Sequence, residues 1–367
     1  MLQSPTRPRL IHVLVATPSG TTGQGGIDRI MGGLKGALER QPDGRAEVEF
    51  KASRGAGHIA FAPVHLARFL LHMLWLKARG RLDLVHINLA SGGSTLRKLQ
   101  IARLARLLGL PYVLHLHGGD YPNFWADNDS ALSRSIRTMF AGAAQVIVLG
   151  RTWRDFVAGR APETASRITV IPNAAPRPSR PHQGGGKKTH ILFLGRINDL
   201  KGVPELGEAL NAMRERPDWR ATLAGDGFVE EARAKAAEYG LSARVDIPGW
   251  VDGERVAELL ATADILVLPS HTENLPLSII EAMASGLAVV ATPVGAVPDI
   301  VRDGETGLLV PVGDVSALTE ALTRLVEDKA LRQRLGTAAQ SFHRQALDIE
   351  PFALAIGRVW LDAARKT

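Results

Sequence analysis

ILVLPSHTENLPLSIIEAMASG, residues 265–286, reads as one βα unit. Ile265, Leu266, Val267 and Leu268 form an unbroken apolar run, the signature of a strand buried on both faces of a parallel sheet. After a polar loop, Pro276 leads into a helix that Gly286 closes, with its first turn taken to contain Glu281. The loop carries Glu273, so helix N-terminus, loop carboxylate and helix carboxylate converge on one small volume. Ser278 and Glu281 also fit a capping box, in which Glu281 would do no more than secure the helix start.

The same alternation of short β-branched runs with helical periodicity extends outward in both directions. Strands are expected at 191–194, 221–224, 245–247, 265–268, 288–291 and 308–310, and earlier at 10–17, 47–52, 84–89, 112–117, 146–149 and 168–171. Helical patterns at 95–108 and 133–140 lie between the earlier strands. Residues 174–189, AAPRPSRPHQGGGKKT, interrupt the pattern with proline, glycine and charge. The expected fold class is therefore α/β, with two doubly wound Rossmann-like domains facing a central cleft at the carboxyl ends of their strands. The boundaries expected are 1–175 for the first domain, 176–189 for a linker and 190–348 for the second domain. Residues 349–367, helical from 351 to 365, should pack back toward the first domain.

At 367 residues the chain is long enough for two cores, and 45% hydrophobic with 22% charged residues gives them material. The absence of cysteine excludes disulfide and thiolate chemistry and permits a cytoplasmic location. The first apolar run, residues 10–16, contains His12 and leads into a glycine-rich loop, so it reads as a strand and not a signal sequence. No stretch reaches the roughly 18 uninterrupted apolar residues of a spanning helix. The nearest, residues 59–76, is broken by His65, Arg68 and His72 and followed by Lys77, Arg79 and Arg81, so it could lie on an anionic membrane surface or be an ordinary packing helix. Residues 1–180 hold 24 Lys and Arg against 11 Asp and Glu, whereas residues 181–367 hold 20 against 26. A basic domain beside an acidic one suits a phosphate-bearing acceptor or an anionic surface, or attraction between the halves. The opposed halves and 5% aromatic content give a nucleic-acid role little support.

Backbone N–H groups of Asn274, Leu275 and Leu277 can meet a phosphate or sugar oxygen, and the two carboxylates can accept from vicinal hydroxyls. A second loop, LGRINDLKG at 194–202, supplies Arg196 and Lys201, two cations suited to the negative charge growing on a departing nucleoside diphosphate. Glycine turns follow strands at Gly225 and Gly249. In the first half a glycine-rich turn, residues 19–27, follows the first strand without matching the dinucleotide fingerprint. His115 and His117 alternate onto one face beside Asp120, with no third metal ligand evident. Asn173 reads as a turn residue before the linker.

Glu273 and Glu281, with seven residues between them, resemble the E-x7-E signature of glycosyltransferase family 4, the retaining bacterial type that builds exopolysaccharide, capsule and lipopolysaccharide. The segment around Arg196 and Lys201 resembles that family's G-R-x-x-x-x-K-G. The resemblance covers nearly the whole chain and implies a GT-B fold, hexose transfer with retention, a UDP- or GDP-sugar donor and no metal. It implies that Glu273 holds donor sugar hydroxyls, Glu281 the ribose, Gly249 backbone the nucleobase, and Gly25 and Gly26 the donor phosphate. His117 would stand near the reacting sugar, contacting donor hydroxyls. The implied acceptor is a glycan or polyprenyl-diphosphate-linked oligosaccharide, met in the cytoplasm at the inner membrane face. A sugar-nucleotide epimerase would share scaffold and donor, and a non-catalytic sugar-nucleotide-binding subunit could share the fold. A nicotinamide dehydrogenase would need the missing fingerprint.

Overall fold

The computed structural model describes residues 10–21, 23, 25–40, 45–126, 128–184 and 186–365. They form two compact units, one of the residues up to Pro172 together with those from Ile349 onward, the other of Asn173–Asp348. The first unit alternates β1 (Ile11–Thr17), α1 (Gly26–Arg40), β2 (Ala46–Ala52), α2 (Ala62–Ala78), β3 (Leu84–Leu89), α3 (Gly93–Leu107) and β4 (Tyr112–Leu116). It continues with α4 (Tyr121–Phe124), α5 (Ala131–Ala141), β5 (Gln145–Val148), α6 (Arg151–Arg160) and β6 (Ile168–Val170). Its six parallel strands lie in the order β2-β1-β3-β4-β5-β6. Every residue of β3 and β4 is buried, which accounts for their lack of polar alternation.

The second unit runs β7 (Thr189–Leu194), α7 (Val203–Ala212), β8 (Trp219–Ala224), α8 (Val229–Glu238), β9 (Val245–Gly249), α9 (Gly253–Thr262) and β10 (Ile265–Leu268). α10 (Leu277–Ser285), β11 (Ala288–Ala291), α11 (Val297–Ile300), β12 (Leu308–Leu309), α12 (Val315–Glu327) and α13 (Lys329–Phe342) complete it. Its strands are ordered β12-β11-β10-β7-β8-β9. In both sheets the first strand is internal and the chain winds to one side of it, then the other. Loops diverge at such a reversal and leave a crevice, between β1 and β3 in one sheet and between β7 and β10 in the other. The two loops singled out by their charges, after β7 and after β10, thus border one crevice.

Residues 176–184 and 186–188 form no helix or strand, yet they are not a free linker. The Gln183 amide donates to the Ala261 carbonyl at 2.7 Å, the His182 ring lies 2.7 Å from the Ala263 carbonyl, and Arg180 pairs with Glu254 at 3.2 Å, all within the second unit. Proline and glycine content reports irregular backbone, not absence of packing. The chain instead leaves the first unit after Pro172 and re-enters it at Ile349.

Re-entry begins α14 (Ile349–Arg365), which belongs to the first unit and buries Ile349, Phe352, Ala353, Ile356, Val359, Trp360 and Ala363. Glu350 at its start accepts from Arg40 at 2.7 Å. By length and composition the helical stretch Ile59–Ala78, mean hydropathy 1.5, is apolar enough to cross a membrane. Within the fold Ala62, Phe69, Met73 and Leu76 of α2 are buried, whereas Val64, Leu71, Leu74 and Trp75 are exposed.

Candidate functional site

The loop after β7 is built from the backbone outward. The Asn198 side chain caps a 3-10 turn, Asp199–Lys201, by accepting from the Lys201 amide at 3.1 Å, and Gly202 then turns the chain into α7 with φ 69°. A Cβ on Gly202 would stand 2.1 Å from the Pro269 carbonyl oxygen, so only glycine lets this loop lie against the end of β10. The His271 amide donates to the Leu200 carbonyl at 2.9 Å and ties the two loops together.

That approach brings opposite charges into contact. Lys201 Nζ lies 2.5 Å from Glu273 Oε1, with 26% of the lysine side chain and 10% of the glutamate side chain exposed. Ser270, fully buried, donates its hydroxyl to the same oxygen at 2.9 Å. Both bonds engage Oε1, which leaves Oε2 for a ligand hydroxyl. The acid loop is held in turn by Thr292, whose hydroxyl donates to the Ser270 carbonyl at 2.5 Å, and by Asn173, whose side-chain amide donates to the Leu275 carbonyl at 2.8 Å. Asn173 is therefore more than a turn residue, since it is buried and fixes the backbone leading into α10.

Asn274 and Leu275 are buried, and Leu277 is the first residue of α10. The N-cap of that helix is Pro276, with no side-chain cap, so Ser278 lies inside the helix and the capping box does not form. Glu281 is half-buried and occupies the second turn, not the first. Gly286 ends the helix in the left-handed conformation at φ 80°, as the sequence suggested.

Arg196 lies upstream of Lys201 on the same loop, exposed and making no hydrogen bond or ion pair among the described residues. Its neighbours are fixed: the Ile197 amide donates to the Asp226 carbonyl at 2.6 Å, and a Cβ on Gly225 would fall 1.7 Å from the Gly195 oxygen. Gly249, at φ 82°, accepts from the Gly225 amide at 2.9 Å, so the loops after β7, β8 and β9 interlock through backbone. The structure brings Lys201 to Glu273 and leaves the Arg196 guanidinium open to solvent.

In the first unit, Gly25 and Gly26 stand at the start of α1. A Cβ on Gly26 would meet nothing within 4 Å and one on Gly25 only Asp28 Oδ2, at 3.8 Å, so this turn leaves open space for a ligand. Thr22 and Gln24, part of the same turn, lie outside the described residues. At the carboxyl end of β4, His115 and His117 stand side by side with ring centroids 4.0 Å apart. Among the described residues no three His, Asp or Glu side chains come together as metal ligands.

His117 has a partner that sequence reading missed. Asn88 on β3 donates to the Ala16 carbonyl at 3.2 Å, which turns its Oδ1 toward His117 Nε2 at 2.8 Å. An acceptor there requires His117 to carry its proton on Nε2, so Nδ1, buried and without a hydrogen-bond partner among the described residues, presents a lone pair. His86, also on β3, completes a tier with its ring 5.3 Å from that of His115 and its Nδ1 accepting from Trp360 at 2.9 Å. The signal was present in LVHINL, where His86 and Asn88 share a strand face, but which strand they meet depends on the sheet order.

Burial holds these imidazoles neutral. It pushes His86 down to about 4, His117 to about 3, and His115 well below the usual range, with neighbouring histidines adding to the last two. Because the folded values are depressed, the unfolded chain takes up protons that the folded chain refuses as pH falls below about 6.5. Stability present above that point should be lost toward pH 4, at about 1.4 kcal/mol per pH unit for each such histidine. Urea midpoints measured from pH 7 to 4.5 should fall steeply; a flat profile would show the tier to be protonated in the fold.

Residues 178–342 match the family model described as Glycosyl transferases group 1, and residues 6–174 that described as Glycosyl transferase 4-like domain. The chain is 30% identical to a phosphatidyl-myo-inositol mannosyltransferase of Mycobacterium tuberculosis over 74% of this chain and 71% of that one. It is 34% identical to an exopolysaccharide phosphotransferase of Streptomyces coelicolor over 53% of this chain, but spans only 21% of that protein. Among solved structures, Anabaena HepE in complex with UDP and glucose superposes with a TM-score of 0.75 at 19% identity, covering 95% of this chain and 99% of that one.

Proposed function

Because the chain belongs to the group 1 glycosyl transferases, with a 4-like domain ahead of its group 1 domain, we propose that it transfers a hexose, with retention, from a UDP- or GDP-sugar. The acceptor is a hydroxyl of a glycan or polyprenyl-diphosphate-linked oligosaccharide destined for exopolysaccharide or another cell-surface glycan. The observation that carries this reading is the Lys201–Glu273 contact at the β7–β10 crevice, which sets an ammonium and a hydroxyl-accepting carboxylate side by side. A diphosphate and the sugar it carries present the matching pair of groups.

In this reading the diphosphate lies on Arg196, Lys201 and the N-terminal amides of α10 at Asn274, Leu275 and Leu277. Glu273 takes the sugar hydroxyls, Glu281 the ribose hydroxyls and the Gly249 backbone the base. As the anomeric carbon–oxygen bond breaks, charge grows on the departing phosphate, and preorganised cations stabilise that state more than the ground state. The acceptor oxygen attacks from the same face and passes its proton to a leaving phosphate oxygen, so no enzymic nucleophile is needed. In the first unit, taken by itself, the open turn at Gly25 and Gly26 suits a phosphate approached through backbone, and the His117 Nδ1 lone pair suits a sugar hydroxyl. The UDP and glucose held by the Anabaena relative support the donor class.

A thermal-shift series with UDP-glucose, GDP-mannose, UDP and GDP tests the donor, since a ligand at about 100 times its Kd adds about 2.7 kcal/mol of stability. NMR of the first-formed product tests the reaction. An inverted anomer, or an epimerised donor formed without acceptor, would overturn it.

We place the enzyme in the cytoplasm at the inner membrane face, docked through α2. Leu71 and Trp75 are 66% and 44% exposed, Arg79 lies over the Trp75 ring at 4.7 Å, and Arg68, Lys77 and Arg81 lie close to them in sequence. Exposed apolar side chains on a helix rich in basic residues suit an anionic lipid surface. Flotation with anionic vesicles at low salt should carry the protein up, and Leu71→Glu with Trp75→Glu should abolish this; equal flotation of the variant would refute it.

A further inference from the structure

We propose that Arg54, Arg97 and Lys98 form a second anion site, one that receives the phosphate of a phosphorylated acceptor at the carboxyl edge of the first unit's sheet. The identity of the ligand as acceptor rests on the glycosyl-transfer reading; the anion site itself rests on geometry. Arg54 follows β2, and Arg97 and Lys98 lie on α3, which follows β3. Since β2 and β3 flank β1, cations from both sides meet at the carboxyl end of that strand, where this sheet opens its crevice.

The cluster is held in place and underneutralised. Lys98, 1% exposed, donates from Nζ to the Ser53 hydroxyl, which donates in turn to the Thr17 carbonyl at 2.7 Å. The Arg54 amide donates to the Pro18 carbonyl at 2.9 Å. Arg54 Nε and Arg97 Nε are both buried with no hydrogen-bond partner among the described residues. Asp28, 2% exposed and accepting from the Ser19 amide at 3.1 Å, acts on Lys98 and Arg54. One acid acts on two of the three cations, and the charge acting on Arg97 is that of Arg54. Burial, then the Arg97 charge, pushes the Lys98 ammonium down to about 7, while burial and then Arg54 push Arg97 down too. A phosphate can accept from two guanidinium forks at once, while the buried Lys98 ammonium adds its charge to the site.

Asp28 also separates this cluster from the glycine turn. A Cβ on Gly23 would stand 2.2 Å from Asp28 Oδ2, so the carboxylate lies against that turn. The donor diphosphate has its own cations in Arg196 and Lys201, which leaves the anion at Arg54, Arg97 and Lys98 to the acceptor.

The test uses the full chain, with inorganic phosphate and UDP as probes in thermal denaturation at ionic strength fixed with chloride. Phosphate should raise the midpoint of the wild type and of Lys201→Ala. Arg54→Gln with Arg97→Gln should weaken half-saturation by phosphate at least about tenfold while leaving the UDP response in place. Lys98→Met, which keeps the buried volume, should reproduce the loss should the double variant prove unstable. A wild type indifferent to phosphate, or a double variant that responds like the wild type, overturns the site. Loss of the UDP response with the phosphate response would assign the cluster to the donor and overturn the acceptor role. Absence of any UDP response in the wild type, with the phosphate response intact, would instead count against the glycosyl-transfer reading.

Discussion

Glu273→Ala and Lys201→Ala should each lower turnover at least about a hundredfold, equivalent to about 2.7 kcal/mol of transition-state stabilisation. The two side chains touch through one carboxylate oxygen, so neither change is confined to one residue. Without Glu273, the ammonium loses its partner and the Ser270 hydroxyl its acceptor. Without Lys201, the carboxylate keeps Ser270 but faces the diphosphate with no charge between. The loss should fall on kcat more than on KM, because the charge that Lys201 meets grows as the bond breaks. Glu273→Gln keeps the shape and one acceptor and should recover part of the loss. The double variant should cost far less than the product of the single losses, as expected for residues in contact. Folding should survive, since the Lys201 ammonium, a quarter exposed, can turn to solvent without Glu273, and Glu273 without Lys201 keeps its Ser270 hydrogen bond. Turnover within about threefold of wild type in both single variants, with folding intact, would remove the pair from the chemistry.

That pair was legible because each of its members sits in a motif immediately after a strand, and a parallel sheet sends such loops to one edge. Glu273 follows β10 and Lys201 follows β7, and the strand order makes the two neighbours. Strand positions were legible for the same reason: fully buried strands are short apolar runs, and β3 and β10 fall where those runs do. What could not be read were contacts that depend on which strands adjoin. Asn88 and His117 are 29 residues apart, Asn173 and Leu275 102, and neither pairing leaves a periodic trace. Residues 176–189 misled because composition reports backbone regularity and says nothing of what the irregular chain rests on. The cations of the first half were visible as a net excess, but their concentration around Asp28 required β2 and β3 to flank β1.

The C-terminal helix sets the other large expectation. Trp360→Ala should destabilise the first unit by about 3–5 kcal/mol through lost burial and the cavity left behind. A further cost arises because His86 Nδ1, deep in the core, loses the indole N–H that it accepts at 2.9 Å. Against a total of about 5–15 kcal/mol this is a large share, and for a unit of this size the melting midpoint should drop on the order of 10 °C. Trp360→Phe separates the two terms, since it retains most of the volume and removes only the donor, and it should cost about 1–3 kcal/mol. The consequence should reach beyond stability. His86 packs on His115, and His115 on His117, so a cavity at Trp360 frees the tier that aims the His117 lone pair. At temperatures where Trp360→Ala is still folded, turnover should fall while UDP binding to the second unit is retained. A midpoint shift below about 2 °C would show that α14 only covers the sheet and does not set the position of the histidines beneath it.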